Sequence, residues 1–323
     1  MHARSKDSTL FESKRPLEVK IRYSFRDIRK SESDTVFFPA TLQYKSANGN
    51  WDSIPVTLRG RGNFRRKSCL FTPIRLKIKK KDAEGTIFSN DRSLKLVLPC
   101  QNSKSYDQYI YREYLCYKIY ETITPYHFKT RILEIDLTDQ NGSKTKPYSV
   151  SGFFIEDDDK VAKRFGGKIV DNVRIHPLQF YDTLSTQHDF FQFLIANTDW
   201  SAYASHNVTI MVINGTKFVP IAYDFDMAGI VNTNYATVNE NLEIKTVTER
   251  LYRGYCRNES LFENVRQFYL NKETAIKKVM ENNAQYLEPK EYQVIYRFID
   301  EFFSILKNDR RFKSSISLAC LHK

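Results

Sequence analysis

The sequence predicts an α+β chain of two lobes. The first, over residues 17–157, is an N-terminal antiparallel sheet with one main helix; the second, over 158–323, is mainly helical. Three observations carry this expectation. From Leu17 to Leu98 apolar and polar residues alternate in short runs, the period of half-buried strands. Between Tyr106 and Ile123 the period becomes that of an amphipathic helix. At 323 residues the chain is also longer than one hydrophobic core usually serves, so two cores with a cleft between them are expected.

Residues 1–16 are polar and read as loose. Strands are expected over 17–30, 36–45 and 54–60, the second and third joined by the turn Asn48-Gly49-Asn50. Pro73–Ile78 and Leu94–Leu98 make the fourth and fifth. In the helix, Tyr109, Ile110, Tyr114, Cys116, Tyr117 and Tyr120 share the apolar side, and Thr124-Pro125 stops it. Two more strands, 130–137 and 149–156, flank the loop Asp139–Ser143. Residues 176–196 read as a helix, 207–213 and 217–223 as a strand pair turning at Asn214-Gly215, and 258–308 as helical. A sheet with one helix, two further strands and a helical half is the order of a bilobal protein-kinase-like fold.

Net charge is +12, with much of the excess between Arg59 and Lys81. Such a stretch is a solvated face, or it meets a phosphate-rich ligand or an acidic substrate. No zinc-finger or RNA-recognition motif is evident, which argues against nucleic acid. No run reaches the ~20 apolar residues of a membrane span. None of the five cysteines forms a C-x-x-C pair, so zinc is not expected. Cys116 falls on the apolar side of the helix. Cys69 and Cys100 border strands and would approach each other in an exported protein. The first eight residues lack the apolar core of a signal peptide. The chain as it stands reads as cytoplasmic, or as exported if a leader was removed.

The most informative stretch is Asn197-Thr198-Asp199-Trp200-Ser201, followed by His206-Asn207; it lies between a helix and a hairpin whose second strand ends in Tyr223-Asp224-Phe225-Asp226. Phosphoryl transfer needs a carboxylate to orient the attacking hydroxyl, and oxygen ligands that hold a divalent cation against the phosphates. Asp199, Asn207 and Asp224 fall in that order and in those positions. Asp226 lies two residues along an extended strand, on the same side as Asp224, as a second ligand or a surface carboxylate. Trp200 lines the substrate entrance or simply packs. His127, His176 and His188 are isolated and read as structural. The run Glu156–Asp159 lacks the periodicity of a calcium loop and reads as the link between lobes.

Further short motifs run along the chain in order: Arg59-Gly60-Arg61-Gly62-Asn63, Pro73–Ile78, Leu94-Lys95-Leu96, Tyr111-Arg112-Glu113-Tyr114 and Gly152–Asp157. With Asn197-Thr198-Asp199, His206-Asn207 and Tyr223–Asp226, the chain resembles in these motifs the spore coat protein H (CotH) family of atypical kinases. The resemblance implies a protein-kinase-like fold that binds ATP with Mg2+ or Mn2+ and phosphorylates protein hydroxyls. Asp199 would be the catalytic base, and Asn207 and Asp224 would hold metal. Lys77, with Arg75 as the alternative, would touch the α and β phosphates and pair with Glu113; Arg59 and Arg61 would cover the phosphates. Three departures stand out. There is no G-x-G-x-x-G loop, and Phe71-Thr72 stand where the family has two lysines. The Asp199–Asn207 gap exceeds the spacing of about four residues in ordinary kinases, so Ser201, Ser205 or His206 are alternatives to Asn207.

The function expected is a metal-dependent kinase that moves the γ-phosphate of ATP to a hydroxyl, on Ser or Thr of a protein substrate that is acidic or Ser/Thr-rich. The alternatives are a non-catalytic pseudokinase or scaffold, and a kinase acting on a sugar or polyol.

Overall fold

The structure is a computed structural model that describes residues 9–31, 33, 35–62, 64–171 and 174–322. The chain divides into two compact units. Unit 1 comprises Met1–Tyr114 and Lys129–Asp157, and unit 2 comprises Leu115–Phe128 and Asp158–Lys323.

Unit 1 is built from β1 (Leu17–Tyr23), α1 (Phe25–Lys30), β2 (Phe38–Lys45), β3 (Trp51–Gly60), α2 (Phe64–Ser68), β4 (Ile74–Lys77), α3 (Lys80–Ala83) and β5 (Ser93–Val97). It also holds the first half of α4 (Lys104–Ile123), with β6 (Thr130–Asn141) and β7 (Lys144–Ile155). The seven strands form a closed barrel in the order β1-β2-β3-β4-β5-β7-β6. Six of its pairings are antiparallel. The seventh, β1 with β6, is parallel and runs in register from Leu17 opposite Leu133 to Tyr23 opposite Asp139. This closure overturns the expected bilobal kinase-like fold with an antiparallel N-terminal sheet: the sheet is mixed and closed on itself, so it has no free edge. Alternation along a strand specifies which side chains point inward, but not which strand returns beside the first.

The inward positions are Val19, Ile21, Leu42, Ile54, Leu58, Leu76, Leu94, Leu96, Leu133 and their neighbours, all nearly inaccessible. The strand expected over 17–30 stops at Tyr23 because Ser24 caps a helix: its Oγ accepts the Asp27 N–H at 3.2 Å. The expected loop at 139–143 contracts to a tight turn around Gly142, so β6 and β7 run on to Asn141 and Lys144. Residues 9–16 are not loose. Leu10 is buried, its N–H donates to Ile87 O, and its carbonyl accepts from Arg131 Nη1. The start of the chain, residues 1–8, lies outside the described residues. Cys69 and Cys100 are disulfide-bonded.

Unit 2 holds the second half of α4, α5 (Asp158–Arg164), β8 (Lys168–Val170), α6 (Asp182–Leu194), β9 (Val208–Ile213), β10 (Lys217–Ala222), α7 (Glu259–Asn283), α8 (Pro289–Lys307) and α9 (Asp309–Phe312). The strands make an antiparallel sheet in the order β10-β9-β8. The helix expected over 176–196 is a single 3-10 turn capped by His176, then α6 from Asp182. α6 is almost wholly buried. Its Phe190 and Phe193 pack with Tyr252, Tyr269 and Phe302 at ring separations of 5.7–6.2 Å. Cys256 and Cys320 form a second disulfide, and Cys116 is buried and belongs to neither of the two. No described helix is long and apolar enough to cross a membrane.

Candidate functional site

α6 delivers the chain to the site. Its end is closed by Ala196 in the left-handed region (φ 49°), with Ala196 N–H donating to Phe193 O and Asn197 N–H to Gln192 O. This is a Schellman-type stop, with alanine at the position glycine usually fills. The turn directs Asn197 inward, where its Oδ1 accepts the Asp199 N–H at 3.0 Å. Behind it runs a chain of buried polar side chains whose donors all point one way. Asn197 Nδ2 donates to Gln192 Oε1 (2.9 Å), Gln192 Nε2 meets His188 Nε2 (3.1 Å), and His188 Nδ1 meets Asp189 Oδ1 (3.1 Å). With Gln192 as donor, His188 carries its proton on Nδ1 and Asp189 accepts it. Burial pushes the Asp189 carboxyl up, opposed by this hydrogen bond and by the charge of Arg257. His188, expected to be structural, is the hub of this chain.

The long gap between Asp199 and Asn207 has a local cause. Ser201 and His206 exchange two backbone hydrogen bonds at 2.9 Å, which pinches residues 202–205 off as a small loop. Asn207 therefore returns to Asp199: its Nδ2 donates to the Asp199 carbonyl at 2.7 Å and to Asp199 Oδ2 at 3.0 Å. His206 Nε2 lies 3.0 Å from the other carboxylate oxygen. This hydrogen bond raises the pKa of His206. Burial works against it, and the charges of Asp199 and Asp224 add to it. Of the alternatives to Asn207, Ser201 is held in the bridge and takes the Ala204 N–H on its Oγ.

The β9–β10 hairpin brings in the third residue. Val208 pairs with Ala222, and Tyr223 N–H donates to Asn207 O one step beyond, so Asp224 emerges at the same end as Asn207. Phe225 is fully buried against Tyr117 and Phe191. The Asp224 N–H donates to the Tyr117 hydroxyl at 2.9 Å. Asn207 (φ 53°) and Asp224 (φ 62°) are both left-handed, a region that costs non-glycine residues energy and recurs at functional sites.

Fit to a divalent cation can be judged from the donors. Asn207 spends its amide nitrogen on Asp199, which leaves Oδ1 without a protein donor among the described residues, as is the Asp224 carboxylate. An amide oxygen and a carboxylate are hard ligands suited to Mg2+, which takes its remaining oxygens from water and phosphate. Among the described residues no group of three or more His, Cys, Asp or Glu forms an all-protein cage. Asp226 is less available, being buried with Oδ2 accepting from the Tyr235 hydroxyl at 3.2 Å.

The residues expected to contact phosphates lie in unit 1. Arg75 on β4 forms an ion pair with Asp157 at 2.8 Å. Lys77 is exposed, with its Nζ 4.6 Å from the centre of the Phe37 ring, which Arg59 also approaches at 5.4 Å. Arg61 follows β3, its N–H donating to Pro73 O. Asn63, in the same motif, lies outside the described residues. Glu113 is buried on α4. Lys95 was not singled out by sequence reasoning, yet it is buried on β5 between Arg75 and Ile155 in register. Its signal was its place inside Leu94-Lys95-Leu96. The acidic run is structural in part, since Glu156 Oε2 accepts the Lys129 N–H and Asp158 and Asp159 open α5.

Arg253 was also missed. Its Nη1 donates to the carbonyls of Thr198 (2.5 Å) and Trp200 (2.8 Å), on either side of Asp199. No protein-family model matches the chain, and no curated protein is significantly similar to it.

Proposed function

We propose that this chain is a metal-dependent phosphotransferase that moves the γ-phosphate of ATP to a hydroxyl, on Ser or Thr of a protein. One observation carries this: Asn207, bound through its side chain to Asp199, enters the β9–β10 hairpin at the end where Asp224 leaves it. The order of short motifs shared with the CotH kinases supports the same function.

Asp199 orients the acceptor hydroxyl and takes its proton as that oxygen bonds to the γ-phosphorus and the bond from phosphorus to the bridging oxygen breaks, releasing ADP. Asn207 and Asp224 would hold the divalent cation, which when bound neutralises charge on the phosphates. Asn197 holds the Asp199 backbone N–H and Asn207 its carbonyl and carboxylate, so catalysis rests on positioning.

Labelled-ATP transfer to candidate proteins, run with Mg2+ or Mn2+, tests the proposal. Asp199→Ala should leave nucleotide binding intact and lower turnover by about 10²–10⁴-fold. Asp224→Ala should abolish metal-dependent nucleotide binding as well. Transfer unchanged in both variants would sink the mechanism.

One observation favours a second function, a non-catalytic binding module: His206 and Asn207 between them occupy both carboxylate oxygens of Asp199. A module of that kind would show a nucleotide-dependent rise in Tm without any transfer.

A further inference from the structure

The loop that carries Asp199 is gripped from outside by a segment that the phosphotransfer chemistry does not itself require. Arg253 Nη1 reaches the carbonyls immediately before and after Asp199, and its guanidinium carbon lies 5.7 Å from the centre of the Trp200 ring. Two backbone carbonyls on one donor set the direction in which the intervening side chain projects. Arg253 is in turn held by its neighbours. A Cβ at Gly254 would meet the Tyr252 hydroxyl at 2.5 Å and Asp189 Oδ2 at 2.6 Å, so the backbone there lies hard against α6. On the other side, Cys256 N–H donates to Leu321 O and Leu321 N–H to Gly254 O, both at 2.9 Å. The Cys256–Cys320 disulfide closes this short parallel bridge covalently. A cavity of about 110 Å³, lined among others by Trp200, Ser201, Tyr203, Arg253 and Tyr255, lies beside the grip.

We propose that Arg253 is a positioning residue for Asp199, and that the disulfide-fastened pairing of residues 254–256 with 320–321 holds Arg253 in place. The proposal rests on Asp199 orienting the acceptor hydroxyl. A guanidinium satisfies both carbonyls from a planar, permanently charged group, which a lysine ammonium does not reproduce. A carboxylate displaced by about 1 Å costs turnover by about 10²-fold while substrate binding persists. Arg253 therefore acts on kcat rather than on KM for nucleotide.

The test uses the full chain in a Trp51→Phe background, which leaves Trp200 as the only tryptophan. Arg253→Ala should change Trp200 emission and lower kcat for ATP-dependent transfer by about 10²-fold, with KM for ATP nearly unchanged. Methylguanidinium, which fits the vacated space, should restore part of that loss and none of the loss in Asp199→Ala. The Cys256→Ser/Cys320→Ser variant should move Trp200 emission in the same direction and lower kcat less. Wild-type kcat and emission in Arg253→Ala would overturn the proposal. So would equal losses in Arg253→Ala and Arg253→Lys with no rescue and a lowered unfolding midpoint, the signature of a purely structural role. If the unaltered chain transfers no phosphate while Arg253→Ala still changes Trp200 emission, the grip on the loop is supported and the phosphotransfer function is what fails.

Discussion

The two units treat backbone strain differently. In unit 1 every described residue with a left-handed φ is a glycine: Gly49, Gly62, Gly85 and Gly142. Among the described residues of unit 2, six that are not glycine take that conformation: Ala196, Ser205, Asn207, Asn214, Asp224 and Asn232. Asn214 sits in the β9–β10 turn, where asparagine is an ordinary choice. Ala196, Ser205, Asn207 and Asp224 instead lie along the path that carries Asp199, Asn207 and Asp224 to one place. Among its described residues unit 1 leaves the left-handed region to glycine, whereas the loops of unit 2 put other residues there where the candidate chemistry lies. That pattern is expected when function, rather than stability, has chosen the residues.

The largest expected effect falls at Gly229, where a closely packed turn is locked against the left-handed end of α6. Gly229 N–H donates to Ala196 O and Ile230 N–H to Ile195 O, so the chain after Asp224 lies directly on the end of α6. A Cβ at Gly229 would meet Val247 O at 2.2 Å and the Ala196 Cβ at 2.8 Å. Backbone cannot move aside as a flexible side chain can. Gly229→Ala should destabilise the protein by about 3 kcal/mol, measured as a lower urea midpoint at unchanged m-value. A Gly142→Ala variant in unit 1, where nothing lies within 4 Å, is the control and should lose only the cost of its φ. Equal losses in the two would erase the contrast between the units.

A smaller effect separates strain from hydrogen bonding at Asn207. Asn207→Ala removes both bonds to Asp199 and leaves a β-carbon at positive φ, for a cost of about 2 kcal/mol. Asn207→Gly loses the same bonds without the φ penalty and should recover about 1 kcal/mol of that. Identical stabilities would mean that the left-handed backbone at Asn207 stores nothing.

Much of the local structure was legible. The alternation of β2, the Asn214-Gly215 turn between β9 and β10, the apolar face of α4 and the long C-terminal helices all follow from periodicity and turn chemistry. What was hidden depends on contacts distant in sequence. Nothing in Leu17–Tyr23 says that it pairs in parallel with Leu133–Asp139, so an open antiparallel sheet was the natural reading and the closed barrel was not. α1 was hidden by an apolar Phe25 that continues the strand alternation past its Ser24 cap. At the site, Asp199 and Asp224 were visible from their places after a helix and a hairpin. The Ser201–His206 pinch that reconciles the Asp199–Asn207 spacing is a backbone event, with no side-chain signature. Arg253 was invisible because a lone arginine carries no signal until its carbonyl partners are known.

The smallest effect expected lies between two helices of unit 2, α7 and α8, in which no described residue is left-handed. Lys277 on α7 contacts Glu273 and, across to α8, Asp300, both at 2.8 Å; Lys307 reaches Glu273 at 2.7 Å. Burial alone would raise the Glu273 carboxyl, but the hydrogen bonds from Lys277 and Lys307 more than reverse it and hold it below its ordinary value of 4.5. The Asp300 carboxyl is lowered from 3.8, chiefly by its hydrogen bond from Lys277. Depressed folded-state values mean that unfolding takes up protons, so this contribution is complete above the unfolded values and is lost as pH falls through the folded ones. Tm should therefore fall on acidification below about pH 4.5, through a small contribution that salt screens further. The acid limb of the Tm–pH curve should be shallower in Glu273→Gln than in the unaltered chain. A Gly229→Ala background should leave that difference unchanged, because the α7–α8 contact and the turn beneath Asp224 share no partner. If the two effects did not add, the strained loops and the unstrained helices of unit 2 would be coupled, and the contrast would hold between the units but not within unit 2.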